Sequence, residues 1–399
     1  MKILITTDCY LPVINGVVTS IVNLKKELQK SGHEVRVLTL SNKTKSYKNN
    51  DVTYISSVSV GKIYPGARFT IFKNYRYLKE IMEWGPDVIH SQCEFSTFRL
   101  AKQIAKRRRI PIIHTYHTVY EDYTHYFSPK QKWGEAMVAL FSKKVLKHTT
   151  YVIAPTEKVS KLLLSYGVKQ PITVIPTGID LSTFQQSISL HESTGIRKQL
   201  HIPDKDRVLI FVGRLAKEKN LEEVLFYFSR IKRSNISLLI VGDGPHRQFL
   251  ETYVKQLHIE DKVIFAGMVS PQHIASYYQI ADIFISASNS ETQGLTYIEA
   301  LASGLPALCR RDPCLENVIE NGVNGWLFDS FVEFASYLEK MLLDRTAYKC
   351  LSNNATRKAY EDFSSVAFAE SVEEIYCDAI SANHRAKDRF YLNKSEFNQ

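Results

Sequence analysis

At 399 residues with 44% apolar and 23% charged side chains, the chain is long and apolar enough for two domains with full cores and is not intrinsically disordered. Six scattered cysteines (Cys9, Cys93, Cys309, Cys314, Cys350, Cys377) without paired metal-type spacing exclude a disulfide framework and point to a reducing, cytoplasmic compartment. The net charge of +10 is uneven: residues 1–185 carry 27 Lys+Arg against 13 Asp+Glu, and residues 186–399 carry 24 against 28, so the first half suits an anionic surface, nucleic acid or acidic lipid, or else is a solvated basic face.

Met1-Lys2 runs into an apolar strand, Ile3–Thr7, too short and polar for a secretory signal, and no apolar run approaches the roughly 18 residues of a membrane span. Pro12-Val-Ile-Asn-Gly16-Val-Val-Thr19 then opens a helix and brings Gly16 to a strand end. After a second strand, Val35–Leu40, the polar stretch Ser41–Asn50 reads as a loop. Residues Gly66–Gly85 are amphipathic at helical spacing, with Phe69, Phe72, Tyr75, Ile81 and Met82 interleaved with Arg68, Lys73, Arg76 and Lys79. Such a segment suits the headgroup boundary of an anionic membrane, or else packs its apolar face on its own domain. Beyond the Val88–His90 strand, Lys106-Arg107-Arg108-Arg109 and the group Lys130, Lys132, Lys143, Lys144 and Lys147 around Trp133 add basic surface, without any recognisable nucleic-acid module.

The strand Ile110–Tyr116 ends in His114-Thr-Tyr-His117-Thr-Val-Tyr-Glu-Asp122-Tyr-Thr-His125. No local cysteine pair or fourth ligand completes a zinc set, so His117 reads as a hydrogen-bonding or proton-handling group. Tyr151–Pro155 supplies the fifth strand of this half, and Ile175-Pro-Thr-Gly-Ile-Asp-Leu-Ser-Thr-Phe184 breaks both periodicities and marks a hinge.

In the second half, Val208–Gly213 leads into Arg214-Leu-Ala-Lys-Glu-Lys219, placing a guanidinium and an ammonium in a strand-to-helix turn that suits a diphosphate, or a plain exposed loop. Leu238–Gly242 ends in a turn with Gly242 and Gly244, followed by Val263–Gly267 and Ile283–Ser286. Ser290-Glu291-Thr-Gln-Gly294-Leu295-Thr296-Tyr-Ile-Glu299 then reads as loop into helix: Gly294 lets backbone approach a ligand, and the helix start at Leu295 offers free N–H groups and a positive dipole end. Eight helical residues rise roughly 12 Å, so Glu291 and Glu299 can serve separate parts of one extended ligand. Ala307–Cys309 closes the series. Strands alternating with helices twice over predict an α/β protein of two doubly wound parallel-sheet domains with ligands beyond the strand carboxyl ends, in a cleft between them.

Together, Gly213-Arg214-Leu-Ala-Lys-Glu-Lys219-Asn, the paired glutamates, Gly242-Asp-Gly-Pro and His117 resemble the retaining GT-B glycosyltransferases of family 4, over nearly the whole chain. Pro12–Ser20, His117–Tyr126 and Ser290–Glu299 are similar to the bacterial α-monoglucosyldiacylglycerol synthases, a branch that transfers glucose from UDP-glucose to the free hydroxyl of diacylglycerol. The resemblance implies GT-B domains at 1–177, with about 372–399 crossing back onto it, and 178–371. It implies Glu291 at the transferred hexose, Glu299 at the ribose, Arg214 and Lys219 at the diphosphate, backbone N–H groups from Leu295 and Thr296, and the backbone near Met268 and Val269 at the base. His117 would lie beside the sugar and Gly16 near the phosphate and acceptor, although Asn15-Gly16-Val17 stands where many members carry a double glycine. No metal is implied at the diphosphate, with magnesium at most stimulatory. Retention is ascribed to attack on the face from which the phosphate leaves, that phosphate helping to remove the acceptor's proton.

The expected partners are diacylglycerol, anionic phospholipids and the UDP-sugar, at the inner face of the cell membrane. The expected docking residues are Arg68, Phe69, Phe72, Lys73, Arg76, Lys79, Arg107, Arg108 and Arg109. The alternatives are another family 4 hexosyltransferase using UDP-galactose or a glycosylated lipid or polysaccharide-precursor acceptor, a catalytically silent sugar-nucleotide-binding subunit, and a basic nucleic-acid-binding protein.

Overall fold

A computed structural model describes residues 1–13, 15–43, 45–59, 68–70, 75–117, 131–288 and 294–396. The chain divides into two compact units, Met1–Ile179 with Ser365–Gln399, and Asp180–Ser364.

Unit 1 contains β1 (Lys2–Thr6), α1 (Gly16–Lys30), β2 (Glu34–Ser41), β3 (Tyr47–Asn49), β4 (Val52–Ser56), β5 (Val58–Ser59), β6 (Arg68–Phe69), α2 (Tyr75–Trp84), β7 (Val88–Ser91), α3 (Ser96–Arg108), β8 (Ile112–Thr115), α4 (Gln131–Leu146), β9 (Tyr151–Ala154), α5 (Glu157–Ser165) and β10 (Ile172–Val174). Its main sheet runs β10-β9-β8-β7-β1-β2-β4-β3, parallel except for the β3 edge. The central strands are continuous apolar runs because both faces are covered. Ile3 and Ile5 point into one core layer and Leu4 into the other, as period-2 alternation requires.

Unit 2 contains α6 (Ser182–Gln185), α7 (Leu190–Gln199), β11 (Arg207–Val212), α8 (Leu221–Ser229), β12 (Ile236–Val241), α9 (Arg247–Gln256), β13 (Val263–Gly267), α10 (Ile274–Gln279), β14 (Ile283–Ser286), α11 (Leu295–Ala302), β15 (Ala307–Arg310), β16 (Gly325–Phe328), α12 (Phe331–Leu343) and α13 (Arg345–Phe363). Its all-parallel sheet runs β13-β12-β11-β14-β15-β16. The final helix, α14 (Ser365–Glu396), returns to unit 1, where Phe368, Val372, Tyr376 and Ala379 join the core layer of β1 and α1. Each unit has the doubly wound α/β architecture expected, and among the described residues no helix is long and apolar enough to cross a membrane.

Two expectations change. The polar stretch Ser41–Asn50 is not all loop: Tyr47–Asn49 forms the antiparallel edge strand β3, with Tyr47 stacked on Tyr54 of β4 at 4.5 Å. Nor does helix extend through Gly66–Gly85, since Arg68 and Phe69 pair with β5 in an antiparallel ribbon and α2 starts only at Tyr75.

Candidate active site

Strand order reverses once in each sheet, between β1 and β7 in unit 1 and between β11 and β14 in unit 2. In open parallel sheets ligands settle outside the carboxyl ends of the strands at this switch point. Gly213-Arg214 after β11 and Gly294 before α11 follow the two neighbouring strands of the unit 2 switch point.

The strand ends of unit 2 are knitted by backbone. Gly213 N–H donates to Val241 O (3.0 Å), Leu215 N–H to Asp243 O (3.0 Å), and Gly242 N–H to Gly267 O (2.8 Å). The β11 and β12 turns lie so close that a Cβ on Gly242, whose φ is +129°, would come 1.9 Å from Gly213 O, and one on Gly244 2.3 Å from Leu215 O. Glycine is therefore required twice by contact, and once also by conformation. Arg214 is exposed on this platform, while Lys219 ends a 3-10 turn that Asn220 closes in the left-handed region at φ 50°. Asn220 Nδ2 donates to Glu223 Oε2 (2.6 Å), and the other Glu223 oxygen pairs with Arg310, so one carboxylate braces the lysine-bearing turn. Met268, largely exposed, and Val269 follow β13 on the outer side of the same row of strand ends.

Gly294 caps α11 at φ 72°, with no side-chain cap, so the positive end of the helix and the first-turn amides of Leu295 and Thr296 are presented by backbone. Glu299 sits one turn further in. Tyr278 Oη donates to its Oε2 (2.9 Å), and burial raises its carboxyl to about 7 even against that hydrogen bond. Glu291 lies outside the described residues.

Unit 1 presents side chains instead. Asp8, after β1, accepts from Thr97 N–H (2.8 Å), Thr97 Oγ1 (2.7 Å) and Ser96 N–H (3.2 Å), capping α3 from another strand. Burial nevertheless pushes its carboxyl above the usual range. His90 is fully buried between Tyr376 Oη (2.6 Å) and Thr115 Oγ1 (2.7 Å), and His114 meets Glu94 at 3.2 Å. His117 follows β8, with its Nε2 2.6 Å from Gln92 Oε1. An amide oxygen only accepts, so Nε2 carries the proton and Nδ1 is left as an acceptor. Burial lowers His117 to about 4, so the ring is neutral at ordinary pH. Gly16 is the first residue of α1, whose cap is Asn15, its Oδ1 accepting from Val18 N–H (2.9 Å). The cap keeps a polar side chain where a second glycine would leave bare backbone.

Motif reading did not single out Gln92, Asp8, Glu94, Tyr278 or Glu223. Gln92, Asp8, Glu94 and Tyr278 act through partners distant in sequence, and Glu223 joins its near neighbour Asn220 to the distant Arg310.

The expected docking residues separate into two kinds. Arg68 turns inward, its Nε donating to Ser57 Oγ (2.7 Å) and its Nη2 to Ser57 O (3.0 Å). In α2 the apolar side chains Leu78 and Ile81 are buried in the core of unit 1, while Arg76 and Lys79 pair with Glu80 and Glu83 one turn on. Arg107, Arg108 and Arg109 are exposed at the end of α3, and Phe69 is partly exposed beneath the Arg99 guanidinium. Phe72 and Lys73 lie outside the described residues.

Residues 14–183 match the family described as Glycosyltransferase Family 4, and residues 192–358 that described as Glycosyl transferases group 1. The chain is 37% identical to the alpha-monoglucosyldiacylglycerol synthase of Streptococcus pneumoniae, over 97% of this chain and 88% of the relative. It is 34% identical to the protein of the same name from Acholeplasma laidlawii, over 96% of this chain and 99% of the relative. Among solved structures, Anabaena HepE in complex with UDP superposes with a TM-score of 0.73 at 17% identity, covering 95% of this chain and 100% of the other. That likeness is one of fold. With kinship running through both units and the returning helix, the chain belongs to the family 4 glycosyltransferases of GT-B fold.

Proposed function

We propose that this glycosyltransferase moves glucose from UDP-glucose to the free hydroxyl of 1,2-diacylglycerol at a membrane surface, forming α-monoglucosyldiacylglycerol with retention of configuration. The observation that carries this reading is identity above 30% along nearly the full length of two enzymes of that name. Unit 2 is the donor-binding part. Arg214 and Lys219 neutralise the diphosphate and stabilise it as a leaving group, and the uncapped start of α11 adds backbone N–H groups through Leu295 and Thr296. Two cations and a helix start together do what a metal ion does in other transferases. Glu299 accepts from the ribose hydroxyls, Glu291 from the hexose, and the backbone at Met268 and Val269 reads the base.

Unit 1 serves the sugar and acceptor. A neutral His117, oriented by Gln92, offers Nδ1 to a sugar hydroxyl without adding positive charge where an oxocarbenium-like centre develops. Gly16 at the start of α1 borders the phosphate and acceptor. The acceptor hydroxyl attacks the face from which the phosphate leaves and gives its proton to that phosphate. The enzyme works peripherally on the inner face of the membrane.

Purified protein with labelled UDP-glucose or UDP-galactose, with and without diacylglycerol vesicles, tests donor and acceptor together. Organic-soluble label is expected only with UDP-glucose and diacylglycerol. Equal labelling from UDP-galactose, or none with diacylglycerol, would overturn the assignment.

A further inference from the structure

The six cysteines are scattered along the chain, but the strand order of unit 1 brings two of them together. Cys9 lies three residues beyond β1 and Cys93 two beyond β7, neighbouring parallel strands whose last registered pair is Thr6 and Ser91. The pairing runs on past the strand ends, since Gln92 N–H donates to Thr6 O (2.8 Å). The two thiols are hydrogen-bonded to each other. Thr7 braces both sides, its Oγ1 donating to Cys9 O (2.8 Å) and lying 3.6 Å from Cys93 Sγ. Both cysteines are partly open to solvent, whereas Cys309 and Cys314 are buried. Donation by Cys93 outweighs burial and the nearby Asp8 carboxyl and, with Asn15 Nδ2 (3.7 Å), holds the Cys9 thiol below the usual thiol range. The same bond, with burial, raises Cys93 well above it. A partly open pair of unequal acidity suits reversible redox chemistry, with Cys9 as the attacking sulfur and Cys93 as the resolving one.

We propose that Cys9 and Cys93 form a redox-modification site at the switch point of unit 1, which hydrogen peroxide converts to a disulfide that turns transfer off. The Cys9 thiolate attacks one peroxide oxygen: an S–O bond forms, the O–O bond breaks, and hydroxide leaves and is protonated to water. The Cys93 sulfur then attacks the resulting sulfenic acid. The S–S bond forms, the S–O bond breaks, and the departing hydroxide takes the Cys93 proton as a second water. Two thiols are thereby oxidised by two electrons while one peroxide is reduced to two waters, and a small dithiol reverses the step by exchange. The bond draws the sulfurs from hydrogen-bond contact to about 2 Å. Both ends of the bridge abut the proposed site. Asn15, which donates to Cys9 Sγ, caps α1 at Gly16 through Val18 N–H, and Cys93 directly follows Gln92, which orients His117. Closing the bridge withdraws Cys9 Sγ from Asn15 and shifts the backbone that carries Gln92. The loss of transfer rests on the glucosyltransferase reading; formation of the bond does not.

The test treats the full-length protein, carrying Cys350→Ser and Cys377→Ser to remove the other exposed thiols, with graded hydrogen peroxide and then with dithiothreitol. Intact mass, peptide mapping, glucose transfer to diacylglycerol and calorimetric UDP affinity are read at each stage. Peroxide is expected to remove two hydrogen atoms and to join the Cys9 and Cys93 peptides. Transfer should fall about tenfold or more as the site shifts, with UDP affinity retained because the proposed donor site is in unit 2, and dithiothreitol should restore it. Cys9→Ser is expected to keep its untreated rate under peroxide. Cys93→Ser should stop at a Cys9 sulfenic acid that dimedone traps, and melting curves confirm that both variants fold. Free thiols at both positions after peroxide, a Cys9–Cys93 bond that leaves transfer unchanged, or a loss of transfer that persists in folded Cys9→Ser would overturn the inference. If the bond forms and reverses but the reduced protein transfers glucose to no acceptor, the function fails and the modification site stands.

Discussion

The two units share one architecture and use it in opposite ways. At the switch point of unit 2 the surface of the proposed site is backbone: glycines pressed against a neighbouring turn and an uncapped helix start, with Arg214 exposed beside the braced turn that carries Lys219. At that of unit 1 it is a set of buried titratable side chains, with Asp8, His90, Glu94, His114 and His117 each tied to a partner. A diphosphate needs fixed dipoles and charge, which backbone supplies without conformational freedom. A sugar and an acceptor hydroxyl need donors and acceptors in defined protonation states, which burial sets.

The sharpest break in this contrast is steric. Gly242→Ala places a Cβ 1.9 Å from Gly213 O, so a loss on the order of 3–5 kcal/mol is expected. Denaturant unfolding should show it, and a variant of parental stability would remove the requirement for close backbone packing. Next comes Lys219→Ala, for which transfer should fall by about a thousandfold while the melting curve holds. A folded variant that keeps activity would detach Lys219 from the leaving group.

On the unit 1 side, Gln92→Leu frees the His117 ring, and transfer is expected to fall about tenfold to a hundredfold with UDP-glucose binding unchanged. Equal losses in binding and transfer would make Gln92 merely structural. Because His117 is lowered from 6.5 to about 4, the unfolded chain binds the extra proton between those values, and stability should rise with pH across that window. His117→Gln should flatten that rise in a pH series of melts.

The smallest effect separates the glutamates. Glu299, raised to about 7, is largely protonated at pH 6 and in its proposed role would accept poorly from ribose hydroxyls there. Affinity for UDP-glucose should therefore climb about threefold to tenfold from roughly pH 6 to 8, and calorimetry on Glu299→Gln should show no climb. Glu291→Gln should impair transfer more than UDP binding. Equal effects of both changes on UDP affinity would end the division of roles.

Much of this fold is readable along the chain because the central strands are uninterrupted apolar runs: Val208–Gly213 and Leu238–Gly242 anticipate β11 and β12 to within two residues. Edge strands are not, since β3 is Tyr-Lys-Asn and half solvated. The site glycines and cations announce themselves by motif. The bonds of His117 to Gln92 and of Glu299 to Tyr278 join residues 25 and 21 apart and follow from strand order, which no local pattern carries. Helical spacing misled at Arg68, where a two-stranded ribbon claims the residue.

The most direct measurement is product analysis by nuclear magnetic resonance after incubating the purified protein with UDP-glucose and 1,2-diacylglycerol in phosphatidylglycerol vesicles. The account predicts a single glucose joined to the free glycerol hydroxyl in the α configuration. A β-linked product, or glucose released to water without a glycolipid, would contradict it.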